Sequence, residues 1–251
     1  MFFDLIGFFV PEQVEGLPWW PLAIVIAALV VLNVINNRVA PSRHYLLWAI
    51  GGALGFLALG LLDGNTFTDM GLAWHRLIPG LLWAAACIVV VALFFSVASS
   101  FRKGRDAMQD ERIKDMSISK IAFQALVEVP FGTVLLEEIA FRSVLFSMLV
   151  RRYGLVWGIV WSAIIFGLWH VLPSWGTHEQ SAALGSVVGK GLRGNIFAIV
   201  LSVVTTTVAG VLFALLRVFS GSVLAPMGLH WATNGLGYMF SWLIIRLRRR
   251  E

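Results

Sequence analysis

The stretch FGTVLLEEIAFRSVLFSMLV, residues 131–150, is apolar along its length except for three charged side chains, Glu137, Glu138 and Arg142. A segment of about 20 mainly apolar residues is long enough to cross a membrane as a helix. Charged side chains inside such a segment are expensive to bury in hydrocarbon, and they usually face the interior of a helix bundle at a functional site. This stretch therefore predicts a membrane helix that carries part of a polar site.

The rest of the chain has the composition of a membrane protein. Of its 251 residues, 59% are hydrophobic and only 13% are charged, whereas soluble domains average about 25% charged residues. The net charge of +5 fits the Lys and Arg enrichment of cytoplasmic loops in membrane proteins. No basic run is combined with a soluble domain, so we expect membrane lipids around the chain and no nucleic-acid partner.

Seven segments are apolar and long enough to be interpreted as membrane spans. We therefore predict an all-α fold, a polytopic transmembrane helical bundle of about seven or eight spans. Residues 1–116 would form an N-terminal membrane region of about three spans, and residues 117–251 a second region of about four spans plus an interfacial helix. The seven segments are Trp19–Ile35, Tyr45–Leu62, Ile78–Val97, Phe131–Val150, Gly154–Leu172, Ile196–Leu216 and Val223–Ile244.

The predicted interfacial helix is SISKIAFQALVEVP, residues 117–130, in which apolar residues recur at helical spacing. An amphipathic helix of this kind tends to lie in the membrane interface, and Pro130 would kink or end it. If the span begins at Phe131, Glu137 lies roughly 10 Å inside the bilayer at 1.5 Å per residue. The polar residues of three spans can then converge in the cytoplasmic half of the membrane.

The distribution of basic residues predicts the orientation of the bundle. With an outside N-terminus, only Arg76, Arg151, Arg152 and Arg217 of the 19 Lys and Arg residues lie outside, and Arg142 lies within a span. The others fall at the opposite face, as expected for a cytoplasmic C-terminus. The adjacent pair Arg151 and Arg152 is the main exception to this pattern.

The spacing of the three charged residues suggests different roles for the two carboxylates. Glu138 and Arg142 are four residues apart, so they share one helix face and can form an ion pair. Glu137 points about 100° away from Glu138, and a partly desolvated carboxylate suits a general base that activates water. The structural alternative is a Glu–Arg clamp between helices in which Glu137 has no catalytic role.

Two further spans carry histidines. His170 follows Phe166 by one helical turn, and His230 precedes Asn234 by one turn. Imidazole can bind water or a metal ion, and a carboxamide N–H can stabilise an oxyanion. Each pair could equally be an ordinary polar contact between helices. Together with a Glu, two His could also hold one Zn²⁺. The spacing leaves open whether water is activated with or without a metal.

These motifs resemble those of the CPBP family of CAAX proteases and bacteriocin-processing proteins, also called the Abi family. Its pattern is EExxxR, FxxxH and HxxxN or HxxxD on successive membrane helices. The chain has EEIAFR at Glu137–Arg142, FGLWH at Phe166–His170 and HWATN at His230–Asn234, in the same order. The similarity extends from about Ile118 to Met239, roughly half of the chain.

The resemblance implies an intramembrane endopeptidase that hydrolyses peptide bonds of peptides or membrane-associated C-terminal segments. It implies that Glu137 activates water with help from His170, and that His230 and Asn234 hold the scissile carbonyl oxygen. Glu138 and Arg142 would organise the site. If a metal ion is bound, Glu137, His170 and His230 would be its ligands.

Two other classes of protein remain as hypotheses. The first is a non-catalytic membrane binding or immunity protein. The second is a small proton-coupled transporter, in which intramembrane Glu and His relay protons, although no duplicated half is visible. We expect an integral protein of a bacterial cytoplasmic membrane. The sequence does not predict its exact substrate or its oligomeric state.

Overall fold

The structure, a computed structural model, describes residues 9–176 and 191–248, and within these ranges every regular element is a helix. The predicted all-α class is thereby confirmed. Ten α-helices lie in these ranges: α1 (Trp20–Val34), α2 (Tyr45–Leu62), α3 (Leu77–Ser100), α4 (Arg102–Ala107), α5 (Ile118–Phe123), α6 (Leu135–Glu138), α7 (Phe146–Trp169), α8 (Gly191–Ser220), α9 (Leu224–Trp231) and α10 (Gly237–Arg248).

Shorter helical elements link them. Four π-helical segments continue directly from an α-helix: Ile35–Val39, Gln124–Val134, Ile139–Leu145 and Ala232–Leu236. Three 3₁₀ turns lie between helices: Ser42–His44, Trp74–Arg76 and Glu111–Ile113. A π-helical turn is wider than an α-helical turn and occurs frequently at functional sites.

The elements join into seven long helical rods in the described part of the chain, and each overlaps one predicted span. Gly154, with φ of 81°, separates the fourth rod from the fifth within α7. Only glycine adopts this conformation at low energy. The rods cover residues 20–39, 45–62, 77–100, 118–153, 155–169, 191–220 and 224–248.

Among the described residues, four helices are long and apolar enough to cross a membrane, namely Trp20–Val39, Tyr45–Leu62, Trp74–Ser100 and Gly191–Ser220. The protein is therefore an integral membrane protein. The predicted count of seven or eight spans is not confirmed, because the rods that carry the sequence motifs do not meet the same criteria. The rod 118–153 contains Glu137, Glu138 and Arg142, and the rod 155–169 is short.

Pro130 was expected to kink or end the predicted interfacial helix. It does not end it, because the rod continues through Pro130 in π-helical geometry. A π-helix bonds each carbonyl to the N–H five residues later, and proline has no N–H to offer Ala125. The indole Nε1–H of Trp231 donates to the Ala125 carbonyl instead, at 2.8 Å. A neighbouring rod thus satisfies the carbonyl that Pro130 leaves free, and the helix does not end.

The buried core joins both predicted regions of the chain. A single apolar cluster contains Val25 of α1, Phe56 of α2, Leu136 of α6 and Phe213 of α8. Burial of such side chains is the main favourable term in folding. The rods that bear the motifs are thus packed against helices of the N-terminal region. The boundary proposed at residue 116 stays a prediction.

The four arginines assigned to the outside all bind groups at one end of the bundle. Arg151 and Arg152 pair with Asp63 after α2, at 3.9 and 2.5 Å. Arg76 donates to the Ser220 carbonyl, and Arg217 donates to the Asp69 carbonyl. These residues hold loops together, which explains why arginines occur at an end that otherwise has few basic residues.

Candidate active site

The carboxylate of Glu137 is buried where three rods meet. The side chain is 7% exposed, and its Oε1 accepts a hydrogen bond of 3.0 Å from the indole Nε1–H of Trp169. Its Oε2 lies 3.8 Å from Nε2 of His230 and 4.0 Å from Nε2 of His170. Within the described ranges, Oε2 has no hydrogen-bond partner. One oxygen of this carboxylate is thus fixed, while the other faces both imidazoles.

Glu138 contacts the second imidazole from the other side. Its Oε1 lies 2.7 Å from Nδ1 of His230, and its Oε2 lies 3.4 Å from Nε of Arg142. The pairing expected from the four-residue spacing is therefore present. Because a carboxylate can only accept, Nδ1 of His230 donates to Glu138, which leaves Nε2 directed toward Glu137.

Arg142 is 1% exposed and lies among aromatic rings. Its guanidinium carbon is 3.8 Å from the ring centroid of Phe166 and 4.8 Å from that of Phe213. Cation–π attraction of this kind stabilises a desolvated guanidinium. Neither Nη1 nor Nη2 has a hydrogen-bond partner among the described residues. The charge of Arg142 is thus balanced by Glu138 and by ring faces.

His170 directly follows α7 and is oriented by the helix that precedes it. Its Nδ1 lies 2.8 Å from the carbonyl oxygen of Phe166. A carbonyl accepts, so Nδ1 carries the hydrogen, and the Nε2 lone pair of the neutral ring is free. The Phe166 ring packs between Arg142 and His170, whose ring centroid is 4.7 Å away. The FxxxH spacing therefore places a backbone acceptor and an aromatic ring beside the imidazole.

Asn234 lies in the π-helical segment that follows α9, one turn after His230, and is exposed. It lines a cavity of about 710 Å³ together with His170 and His230. The same cavity reaches Asp110 and Arg112 of the polar loop before α5. The structure thus gathers four of the other five predicted site residues around Glu137, with Asn234 on the adjoining cavity wall.

Comparison with known proteins agrees with this geometry. Residues 118–236 match the family model described as type II CAAX prenyl endopeptidase Rce1-like. This part of the chain is similar to the Rce1-like family. The resemblance to the CAAX-protease family is thereby confirmed over a region that holds all three motifs. No curated protein and no solved structure shows a significant match to the chain.

Three acceptor atoms of the Rce1-like region converge: Oε2 of Glu137 and Nε2 of both imidazoles. A water molecule could donate to such a set, and a divalent cation could bind it. Zinc bonds of about 2.0–2.1 Å place neighbouring tetrahedral ligands roughly 3.3 Å apart, whereas the separations here are 3.8 and 4.0 Å. In the described ranges, no group of three potential ligands is close enough to hold a metal. The predicted Zn²⁺ alternative stays a prediction.

Two aromatic residues of the site were not predicted from the sequence. Trp169 binds Glu137, and Phe213 of α8 stacks on His230 with ring centroids 5.2 Å apart. The position of Trp169 beside His170 could have suggested it, because an intramembrane indole N–H needs an acceptor. Phe213 lies in an apolar helix with no motif, so nothing in the sequence marked it.

Proposed function

We propose that this protein is a multi-pass intramembrane endopeptidase that hydrolyses peptide bonds with water activated by Glu137. One observation carries the proposal: the free oxygen of a buried carboxylate faces two oriented imidazoles beside a large cavity. The Rce1-like match of residues 118–236 supports a protease of this class. The orphaned Oε2 is what a general base requires, since its lone pairs are available to a water molecule.

In the proposed first step, Glu137 takes a proton from water as the water oxygen attacks the scissile carbonyl carbon. Nε2 of His170 accepts a hydrogen bond from the same water and orients it. The carbonyl becomes a tetrahedral oxyanion. When the carbon–nitrogen bond breaks, the proton held by Glu137 passes to the leaving amine, and Glu137 is ready for the next cycle.

His230 and Asn234 are proposed to stabilise the oxyanion. Because Nδ1 of His230 donates to Glu138 at 2.7 Å, its Nε2 can donate to an oxyanion only when the ring carries a second proton. The Glu138 carboxylate would compensate that charge, and Arg142 in turn holds Glu138. The exposed carboxamide of Asn234 would add a second donor from the cavity wall.

The substrates would be peptides or membrane-associated C-terminal segments. The Rce1-like description names a CAAX prenyl endopeptidase, so prenylated C-terminal peptides are the first candidates to test. The cavity reaches the polar loop that contains Asp110 and Arg112, on the face that we assign to the cytoplasm from its basic residues. The C-terminus would lie at this face, and the bacterial origin stays a prediction.

The decisive experiment compares Glu137→Gln with Glu128→Gln in purified protein in lipid vesicles. Gln cannot take a proton from water, so we expect cleavage of a fluorescent prenylated peptide to fall by at least about 10³-fold. Glu128 lies on the same rod, outside the site, and its variant serves as the matched control. Size-exclusion profiles check that both variants fold.

Turnover by the Glu137→Gln protein at the wild-type rate would refute the proposed base. Full biological activity of this variant without cleavage would instead favour the binding or immunity protein. Proton-coupled flux in liposomes would favour the transporter. Cleavage measured with and without a chelator, together with metal analysis of the protein, tests the Zn²⁺ alternative.

A further inference from the structure

The indole of Trp169 is the contact that fixes one half of the Glu137 carboxylate. A glutamate side chain has three rotatable torsions, so a fixed direction for its base oxygen needs an external restraint. The indole Nε1–H donates to Oε1 at 3.0 Å in a buried setting. With Oε1 engaged, Oε2 is the oxygen directed at Nε2 of His170 and His230.

Trp169 is itself held from two directions. Its ring and that of Phe141 form a T-shaped pair, with a centroid distance of 5.6 Å and an interplanar angle of 74°. Its backbone carbonyl is among the last of α7, where a helix has no N–H left to donate. The side-chain amide of Asn33 donates to this carbonyl at 2.9 Å. The backbone of Trp169, whose side chain supports Glu137, is thus anchored by α1.

Asn33 lies far from the motifs in sequence and outside the matched residues 118–236. It is 8% exposed, and its Oδ1 accepts from the amide of Asn37 at 2.6 Å. A buried amide in a membrane helix is expensive unless it is bonded. Asn33, which is bonded to Asn37, therefore connects α1 to the backbone of Trp169. The indole of Trp169 in turn bonds the Glu137 carboxylate.

We infer that Trp169 is a positioning residue for Glu137, and that Asn33 acts on the same carboxylate through Trp169. This inference rests on the proposed function, because the positioned group is the proposed base. It assigns part of the catalytic geometry to the N-terminal region, beyond the Rce1-like segment. Loss of the indole N–H would leave the carboxylate free to turn, which lowers the fraction of molecules poised for reaction.

The test replaces Trp169 with β-(3-benzothienyl)alanine, in which sulfur takes the place of the indole N–H and the ring shape is kept. A hydrogen bond to a charged group predicts a fall in kcat of roughly 10-fold or more, with KM unchanged because the cavity wall is intact. The matched control is the same replacement at Trp242, whose N–H donates to the Met116 carbonyl at 3.0 Å.

An unchanged kcat for the analogue at position 169, in a protein whose wild type cleaves peptide, would overturn the inference and leave the proposed function standing. An equal loss at positions 169 and 242 would also overturn it, because a general packing effect would then suffice. Absence of cleavage by the wild-type protein would instead count against the proposed function.

The substitution Asn33→Leu tests whether Asn33 acts on Glu137 through Trp169. It removes the donor to the Trp169 carbonyl, and we expect kcat to fall about 3-fold, less than for loss of the indole N–H. If Asn33 acts through Trp169, the substitution has no further effect when the analogue already occupies position 169, because coupled residues are not additive. Independent, additive losses would refute this link.

Discussion

Two of the arginines that the structure describes are almost completely buried, and their charges are compensated in different ways. Arg217, near the end of α8, donates to the backbone carbonyl of Asp69 at 2.9 Å and lies close to that of Thr68. Arg142, in the middle of the motif rod, faces Glu138 and the rings of Phe166 and Phe213. One guanidinium is bound by backbone, and the other by a charge and by π faces.

This difference distinguishes the end of the bundle where Arg217 lies from the proposed active site around Glu137. Buried polar atoms are usually hydrogen-bonded, and exceptions need an explanation. Around Glu137, four atoms lack hydrogen-bond partners within the described residues: Oε2 of Glu137, Oε2 of Glu138 and both Nη atoms of Arg142. In Arg217, only Nε lacks a hydrogen-bond partner among the described residues. In the described part of the chain, unpaired polar atoms thus concentrate around the proposed base.

Arg142→Met is expected to have the largest effect of the substitutions that test this comparison between Arg142 and Arg217. Without its cation, Glu138 becomes an uncompensated buried charge, which destabilises the fold by about 3–5 kcal/mol. Cleavage is lost as well, because the pairing of Glu138 with His230 is disturbed. Thermal unfolding in detergent and peptide cleavage measure the two effects.

A double variant, Glu138→Gln with Arg142→Met, sharpens the interpretation. Both buried charges are then gone, so we expect most of the stability to return. Activity stays low, since no carboxylate remains to accept from His230. Recovery of activity together with stability would show that the pair is only structural.

A smaller and purely structural effect is expected from Arg217→Met. The substitution leaves the Asp69 carbonyl without the donor that it has in the wild type, which destabilises the protein by about 1–3 kcal/mol. Cleavage per folded molecule, measured well below the unfolding temperature, remains near the wild-type value because Arg217 does not line the cavity. A specific loss of kcat in this variant would contradict the proposed division between the two ends.

The smallest effect is expected from Asp110→Asn, in the polar loop that lines part of the cavity. Burial raises the pKa of the Asp110 carboxyl, but hydrogen bonds from Arg112 lower it by more, so the pKa lies below its ordinary value of 3.8. The pair therefore stabilises the fold above that pH, and the contribution is lost as pH falls through the lowered pKa. The pair is half exposed, so we expect less than about 1 kcal/mol.

Thermal unfolding at pH 7 and at about pH 3 measures this contribution. Wild type and Asp110→Asn are expected to differ at pH 7, and the difference shrinks as pH falls below 3.8 toward the lowered pKa of Asp110. A difference that is the same at both pH values would show that the ion pair is not its cause.

The sequence predicted the helical class and the approximate position of all seven rods, because apolar length and spacing are local properties. It also predicted the Glu138–Arg142 pair, which a helix forms from residues four apart. It did not predict that the helix continues through Pro130, since the donor to the Ala125 carbonyl comes from Trp231, more than 100 residues away. Local rules for proline cannot include such a partner.

What the sequence by itself determined was a set of ionisable residues within apolar segments, and the spacing of one helical turn in the pairs Glu138–Arg142, Phe166–His170 and His230–Asn234. Only the tertiary structure decided which oxygen of Glu137 is free, because that depends on Trp169 and on the packing of α1 beneath it. It also decided how Arg142 is balanced, through Phe213 from another rod. Spacing along one helix is encoded locally, whereas the direction of a buried side chain is set by neighbours that folding brings together.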